Sequence, residues 1–242
     1  MIFNPKPFLK LARPGDVINI WISPKKDNCF DTLKNKVADF GIQQVQKGVF
    51  GRKSDYKDHH SMMYFCPEKT FSVEPPYPKW RDIESFGALG VSIVRWNLIR
   101  ELNDNDVALL WEGAEKIIKE HKKYDIGQLV DFMISSIAGY PFDDSIKWFD
   151  EGKKRMVCSV AVASVIAYWR HKLLATTGEK IRQPFRTLNP TAWKKKFRRR
   201  FYQEGHWDIN RTFPAMFVNC LTHFINDFRL IAEFDKHGNR IA

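Results

Sequence analysis

Residues 156–169 read MVCSVAVASVIAYW, a long apolar stretch broken only by two serines and opened by a thiol. The stretch predicts a buried helix with Cys158 in its first turn. No apolar run in the chain reaches the 18–20 or so residues a membrane-spanning helix needs, so the core of the chain itself has to cover this one. A helix N-terminus presents unpaired backbone N–H groups and a partial positive charge. Both favour thiolate over thiol and leave room for a developing oxyanion. A nucleophilic cysteine also needs an imidazole close by. The competing reading of Cys158 is a small buried hydrophobe.

At 242 residues the chain can bury one sizeable core plus an appendage. Val17–Ile22 reads as a strand after the turn Arg13-Pro14-Gly15-Asp16, and His60 opens a second strand-like run, HSMMYF. Phe71–Glu74 and Val91–Trp96 are further strands, the former stopped by Pro75-Pro76. Asp27 or Asn28 caps a helix carrying Phe30, Leu33, Val37 and Phe40. Asp104 or Asn105 caps another carrying Val107, Leu110, Trp111, Ala114 and Ile117. After residue 176, Thr212 and Pro214 mark a helix start, and Phe217, Leu221, Phe224, Phe228 and Ile231 recur at steps of four and three, predicting a long amphipathic C-terminal helix.

The formal net charge of +11 points to an acidic partner. Six of the cations, Lys194, Lys195, Lys196, Arg198, Arg199 and Arg200, lie in one short segment between Trp193, Phe197 and Phe201. That segment is a candidate polyanion- or acidic-protein-binding face, the alternative being a solvated helix surface packed through its aromatic stripe. Four scattered cysteines, Cys29, Cys66, Cys158 and Cys220, have neither CxxC pairing nor zinc-ligand spacing, so neither a metal nor another cofactor is expected. The N-terminus lacks the pattern of a secretory signal, and the expected location is the cytoplasm or a virion.

The order of RPGDVINIW, HSMMYF, SVEPP, VSIVRW, KKYDIGQL and VCSVAVASVIAYW resembles the circularly permuted branch of the papain-like NlpC superfamily, which includes YiiX-type hydrolases and lecithin:retinol acyltransferase-like enzymes. The resemblance covers about residues 10–195. It implies an α+β, papain-like fold with an antiparallel sheet packed on helices, a hydrolase domain over 1–175 and a basic, mainly helical extension over 176–242. Carried over residue by residue, it makes Cys158 the nucleophile, His60 the base and Glu74 the third polar residue. Gly15 and Asp16 match the opening turn, Tyr124 and Asp125 the Tyr-Asp motif, and Ser159 the residue after the nucleophile. Tyr124 and Ser159 are then substrate or oxyanion candidates. His59 is an alternative base, and Val160-Ala161 stand where the family commonly has Glu-Leu.

The implied activity is that of a cysteine peptidase or peptidoglycan amidase working through a Cys-His-Glu triad and an acyl-enzyme. Two alternatives stay open. One is a lipid acyltransferase or deacylase. The other is a docking or structural protein, such as a phage or virus virion component, built on the same scaffold.

Overall fold

A computed structural model describes residues 4–22, 60–74, 76–85, 88–98, 100–120, 123–124, 155–181, 185–186, 202–203, 206–208, 217 and 228–242. At its centre is a six-stranded sheet. β1 (Val17–Ile22), β2 (His60–Cys66), β3 (Lys69–Val73), β4 (Pro78–Arg81) and β5 (Ala88–Trp96) are joined by a C-terminal strand, Phe228–Asp235. The spatial order is C-terminal strand, β5, β1, β2, β3, β4, and every neighbouring pair is antiparallel. With two long helices beside this sheet, the class is α+β.

The β-branched, alternating sequence of β1 places Val17 on one face and Ile18 and Ile20 on the other, as strand geometry requires. On the first face Val17, Met63, Phe71, Val73 and Val94 pack against the helices Asp104–Lys119 and Cys158–Thr177. On the second, Ile18, Ile20, Met62, Tyr64, Val91 and Ile93 pack on Phe8 of the single-turn helix Lys6–Leu9. The Cys158 helix is buried almost all round in its first three turns, where small Ala161 and Ala163 alternate with Val160, Val162 and Val165. It packs on both β2 and the Asp104–Lys119 helix, so the apolar stretch is covered by sheet on one side and helix on the other.

The opening turn is locked to the strand that carries His60. Gly15 takes φ 87°, which only glycine adopts without strain, and its N–H donates to the Tyr64 carbonyl while the Tyr64 N–H donates to the Asp16 carbonyl. The Asp16 carboxylate accepts from the Arg13 N–H at 2.8 Å and from both Arg95 Nε and Nη2 at 2.8 and 2.7 Å. Asp16 thus fixes the turn, as a Gly-Asp pair suggests.

Two expectations change. The Asp104–Lys119 helix is capped one residue earlier than expected, by Asn103, whose side chain accepts from the Asp106 N–H while the Asp106 carboxylate accepts from the Asn103 N–H. This reciprocal capping box satisfies two orphan donors together, which a cap at Asp104 or Asn105 would not. The larger correction concerns the C-terminus, where Phe228 and Ile231 lie on a strand of the main sheet instead of a helix. The β5 edge needs a partner, and pairing there outweighs the helical spacing. A bulge between Leu230 and Ala232 inserts an extra residue, so Phe228 and Leu230 face the Cys158 helix while Ala232 and Phe234 face the opposite core. The proposed helices after Asp27 and Thr212 otherwise fall outside the described residues, as does the segment from Lys194 to Arg200.

Candidate active site

Cys158 is the first residue of its helix. It follows Val157, an extended N-cap residue whose side chain offers no acceptor to the helix N–H groups. Those donors remain available to a sulfur or an oxyanion. His60 is the first residue of β2, and the fold brings its imidazole into hydrogen-bond contact with the Cys158 thiol. Backbone N–H groups of Ser61 and Ser159 also donate to the sulfur. Cys158 and His60 are 2% and 5% exposed, so the pair is almost closed to bulk water.

Burial alone raises the thiol and lowers the imidazole, but the two charges act on each other strongly enough to reverse both. The imidazolium, its hydrogen bond and the two backbone donors hold the Cys158 thiol below its ordinary value. The thiolate, and behind it Glu74, hold His60 above its own against the desolvation and the opposing charge of Arg81. Each shift favours the charged form of its residue, thiolate at Cys158 and imidazolium at His60.

Glu74 does not touch the ring. His60 Nε2 lies 2.9 Å from Ser72 Oγ, and Ser72 Oγ donates to Glu74 Oε1 at 2.8 Å. Ser72 and Glu74 stand two apart along the chain at the end of β3, which puts both side chains on the same side. Glu74 Oε2 is 3.5 Å from Lys79 Nζ and Oε1 is 3.8 Å from Arg81 Nε. Burial pushes the carboxyl up, yet His60, Ser72 and these two cations together hold it below the usual carboxylate range.

Sequence reasoning missed two residues here. Ser72 is the direct partner of the imidazole, and its only signal was its place two residues before Glu74 in SVEPP. Asn19, fully buried on β1, accepts from Ser61 Oγ at 2.7 Å and so holds the residue whose N–H reaches the sulfur. In the next pairing of the same row, Ser92 Oγ donates to Glu233 Oε1 at 3.2 Å. A row of polar side chains therefore runs across four strands toward the site.

Of the other expected site residues, Ser159 is buried beside Cys158. Tyr124 lies in a two-residue strand, Lys123–Tyr124, paired in parallel with Arg155–Met156, which sets its backbone beside Met156, two residues before Cys158. Its side chain, His59 and Asp125 lie outside the described residues. Among the described residues no group of three or more His, Cys, Asp or Glu side chains is arranged to hold a metal ion, and no helix is long and apolar enough to cross a membrane.

Comparison of the chain with family models, with curated proteins and with solved structures finds no match in any of the three.

Proposed function

We propose that the chain is a cysteine hydrolase of amide or ester bonds with the papain-like, permuted NlpC arrangement, and that a peptide or peptidoglycan stem-peptide amide is its substrate class. The observation that carries this reading is the Cys158–His60 contact at an uncapped helix N-terminus, with the far nitrogen of the ring held by Ser72 and Glu74.

The thiolate attacks the acyl carbon, and the carbonyl π pair moves onto oxygen. The backbone N–H of Cys158 in the uncapped first turn is the candidate donor to that oxyanion. Collapse of the tetrahedral species breaks the bond to the leaving nitrogen or oxygen, which takes the imidazolium proton. Water then attacks the thioester as His60 removes its proton, and the acid departs with return of thiol and imidazole. An acyl acceptor other than water, such as an amine or a lipid hydroxyl, would turn the same first half into acyl transfer.

The near-closure of Cys158 favours a second reading, a docking or virion-type scaffold on the same fold. Incubation with a thiol-directed acyl-mimic electrophile, followed by site-resolved mass spectrometry, separates the two. Modification of Cys158 in the folded protein that is lost in His60→Ala supports the hydrolase. A folded protein whose Cys158 stays unmodified supports the scaffold. Hydrolysis of peptide and peptidoglycan substrates by the native chain, compared with Cys158→Ala, then tests the substrate class.

A further inference from the structure

We propose that Ser72 is the positioning residue that sets the direction of proton transfer at this site, by accepting a hydrogen bond from His60 Nε2–H and donating its own proton to Glu74, which leaves Nδ1 as the base toward Cys158. The inference rests on the hydrolase reading for its consequence but not for its geometry.

Glu74 has Lys79 and Arg81 within 4.0 Å of its oxygens, so it is ionised and can only accept. The Ser72 hydroxyl has one hydrogen, which the 2.8 Å contact to Glu74 Oε1 uses. Toward His60, at 2.9 Å, its oxygen can therefore only accept. Nε2 must carry a hydrogen in the neutral ring as well as in the charged one, and a neutral imidazole has only one N–H. The lone pair then resides on Nδ1. When the thiol ionises, the S–H bond breaks, an Nδ1–H bond forms, and the positive charge on the ring is matched by Glu74 through the serine hydroxyl. Ser72 is fully buried, so water does not compete for either contact.

A carboxylate in direct contact would fix the same tautomer without a serine. Here it stands one hydroxyl away, and the ring loses its orientation if that hydroxyl is removed. The charge on Glu74 alone cannot restore it, because electrostatic attraction acts at a distance but a hydrogen bond also fixes the angle of the ring.

The test is the tautomer itself, read by nitrogen NMR of histidine-labelled Cys158→Ala protein, where no thiolate charges the ring. His60 is identified among the seven histidines by the signals that disappear in Cys158→Ala/His60→Gln. The expected spectrum shows a protonated Nε2 and an unprotonated Nδ1, and adding Ser72→Ala should abolish that preference. In otherwise native protein, Ser72→Ala should lower the neutral-pH alkylation rate of Cys158 about tenfold or more, and Ser72→Thr, which keeps the hydroxyl, should recover most of it. An Nδ1–H tautomer in Cys158→Ala overturns the proposal even if Ser72→Ala fails to fold. So does a tautomer unmoved by a folded Ser72→Ala. The tautomer measurement needs no turnover, so an Nδ1–H ring in a protein that still hydrolyses substrate sinks this inference alone, whereas an inert Cys158 in native protein sinks the hydrolase reading alone.

Discussion

Removing the Asp106 carboxylate should loosen the support of the Cys158–Thr177 helix. Asp106 is fully buried, and each of its oxygens accepts twice. Oδ1 takes the indole N–H of Trp169 at 3.0 Å and Arg100 Nη2 at 3.2 Å, while Oδ2 takes the Asn103 N–H at 2.9 Å and Arg100 Nη1. Trp169 belongs to the Cys158 helix, so one carboxylate closes the capping box of its own helix and ties the two helices together. Asp106→Ala leaves the Trp169 N–H unpaired in the core, at a cost of roughly 1–3 kcal/mol, and removes half of a capping box, about 1 kcal/mol more. The Arg100 contact adds about 1 kcal/mol at most, because the guanidinium is 34% exposed and is also held by Glu179 at 2.7 Å.

The expected loss is therefore roughly 2–5 kcal/mol, or a fall in Tm of about 4–20 °C for a domain of this size. Urea and thermal unfolding followed by tryptophan fluorescence measure it. Asp106→Asn keeps an acceptor for Trp169 and should cost less than half as much. Burial pushes this carboxyl up, but Arg100, the Asn103 N–H and Trp169 outweigh it and hold it below the ordinary value. Stability from a depressed carboxyl is present above the unfolded-state value of about 3.9 and is lost as pH falls through the folded one, so Asp106→Asn should also flatten the acid limb of the stability curve. A cost for Asp106→Ala below about 1 kcal/mol, or an Asn variant as damaged as the Ala variant, would refute this account of the knot.

Cys158 should alkylate faster than Cys66 near neutral pH, since its thiol is held down by His60 whereas burial and Glu68 push that of Cys66 up; in His60→Ala the pH profile of Cys158 alkylation should move to higher pH, and an unmoved profile would remove His60 as partner. Cys158→Ala and His60→Ala should each abolish hydrolysis without adding in the double variant, while Glu74→Gln loses less because its amide oxygen still accepts from Ser72; steady-state rates on a peptide substrate check both. Gly90→Ala would put a Cβ 2.0 Å from Trp21 Cε3 and 2.8 Å from the Phe234 carbonyl, so it should destabilise by about 1–3 kcal/mol or more in urea, and a neutral result would mean that this close approach is not kept in solution. Replacing Lys195, Lys196, Arg198 and Arg199 by Gln should weaken binding to nucleic acid or an anionic cell-wall polymer, with wild-type binding falling steeply with salt; no wild-type binding at low salt would return the segment to a solvated face or a protein contact.

Local chemistry and fold agree closely at β1, β2 and the Cys158 helix, where one pattern in the sequence points to one structure. Val17–Ile22 alternates β-branched residues, and a run as apolar as residues 156–169 has few destinations other than the core. The C-terminal strand was hidden because its bulge breaks the alternation. Phe228 and Leu230 share one face, Ala232 and Phe234 the other, and the spacing left behind imitates a helix. Ser72 was hidden for another reason. Serine has no strong pattern in a strand, and its importance arises from β2 and β3 lying side by side, a relation no local window contains. Glu74 was identified as the third polar residue, but its indirect contact was not, because one intervening hydroxyl changes nothing in the spacing of the chain.

The energetics of burial bear on the choice between the proposed hydrolase and a scaffold. An ionised thiol and imidazole removed from water cost several kcal/mol each before pairing, and pairing in a protein interior often does no better than break even against apolar residues of the same volume. Glu74, Ser72, the Ser61 and Ser159 N–H groups and the Asn19–Ser61 bond all serve to offset that cost. A docking protein would be as stable with alanine or valine at 158 and leucine at 60, and the surrounding polar row would then have no charge to support. The arrangement makes physical sense where the charged pair is itself the purpose, since a preorganised site gives up stability to hold a reactive state. The two long helices and the knot at Asp106 make up part of that difference from the opposite side, by clamping the helix whose first residue is Cys158.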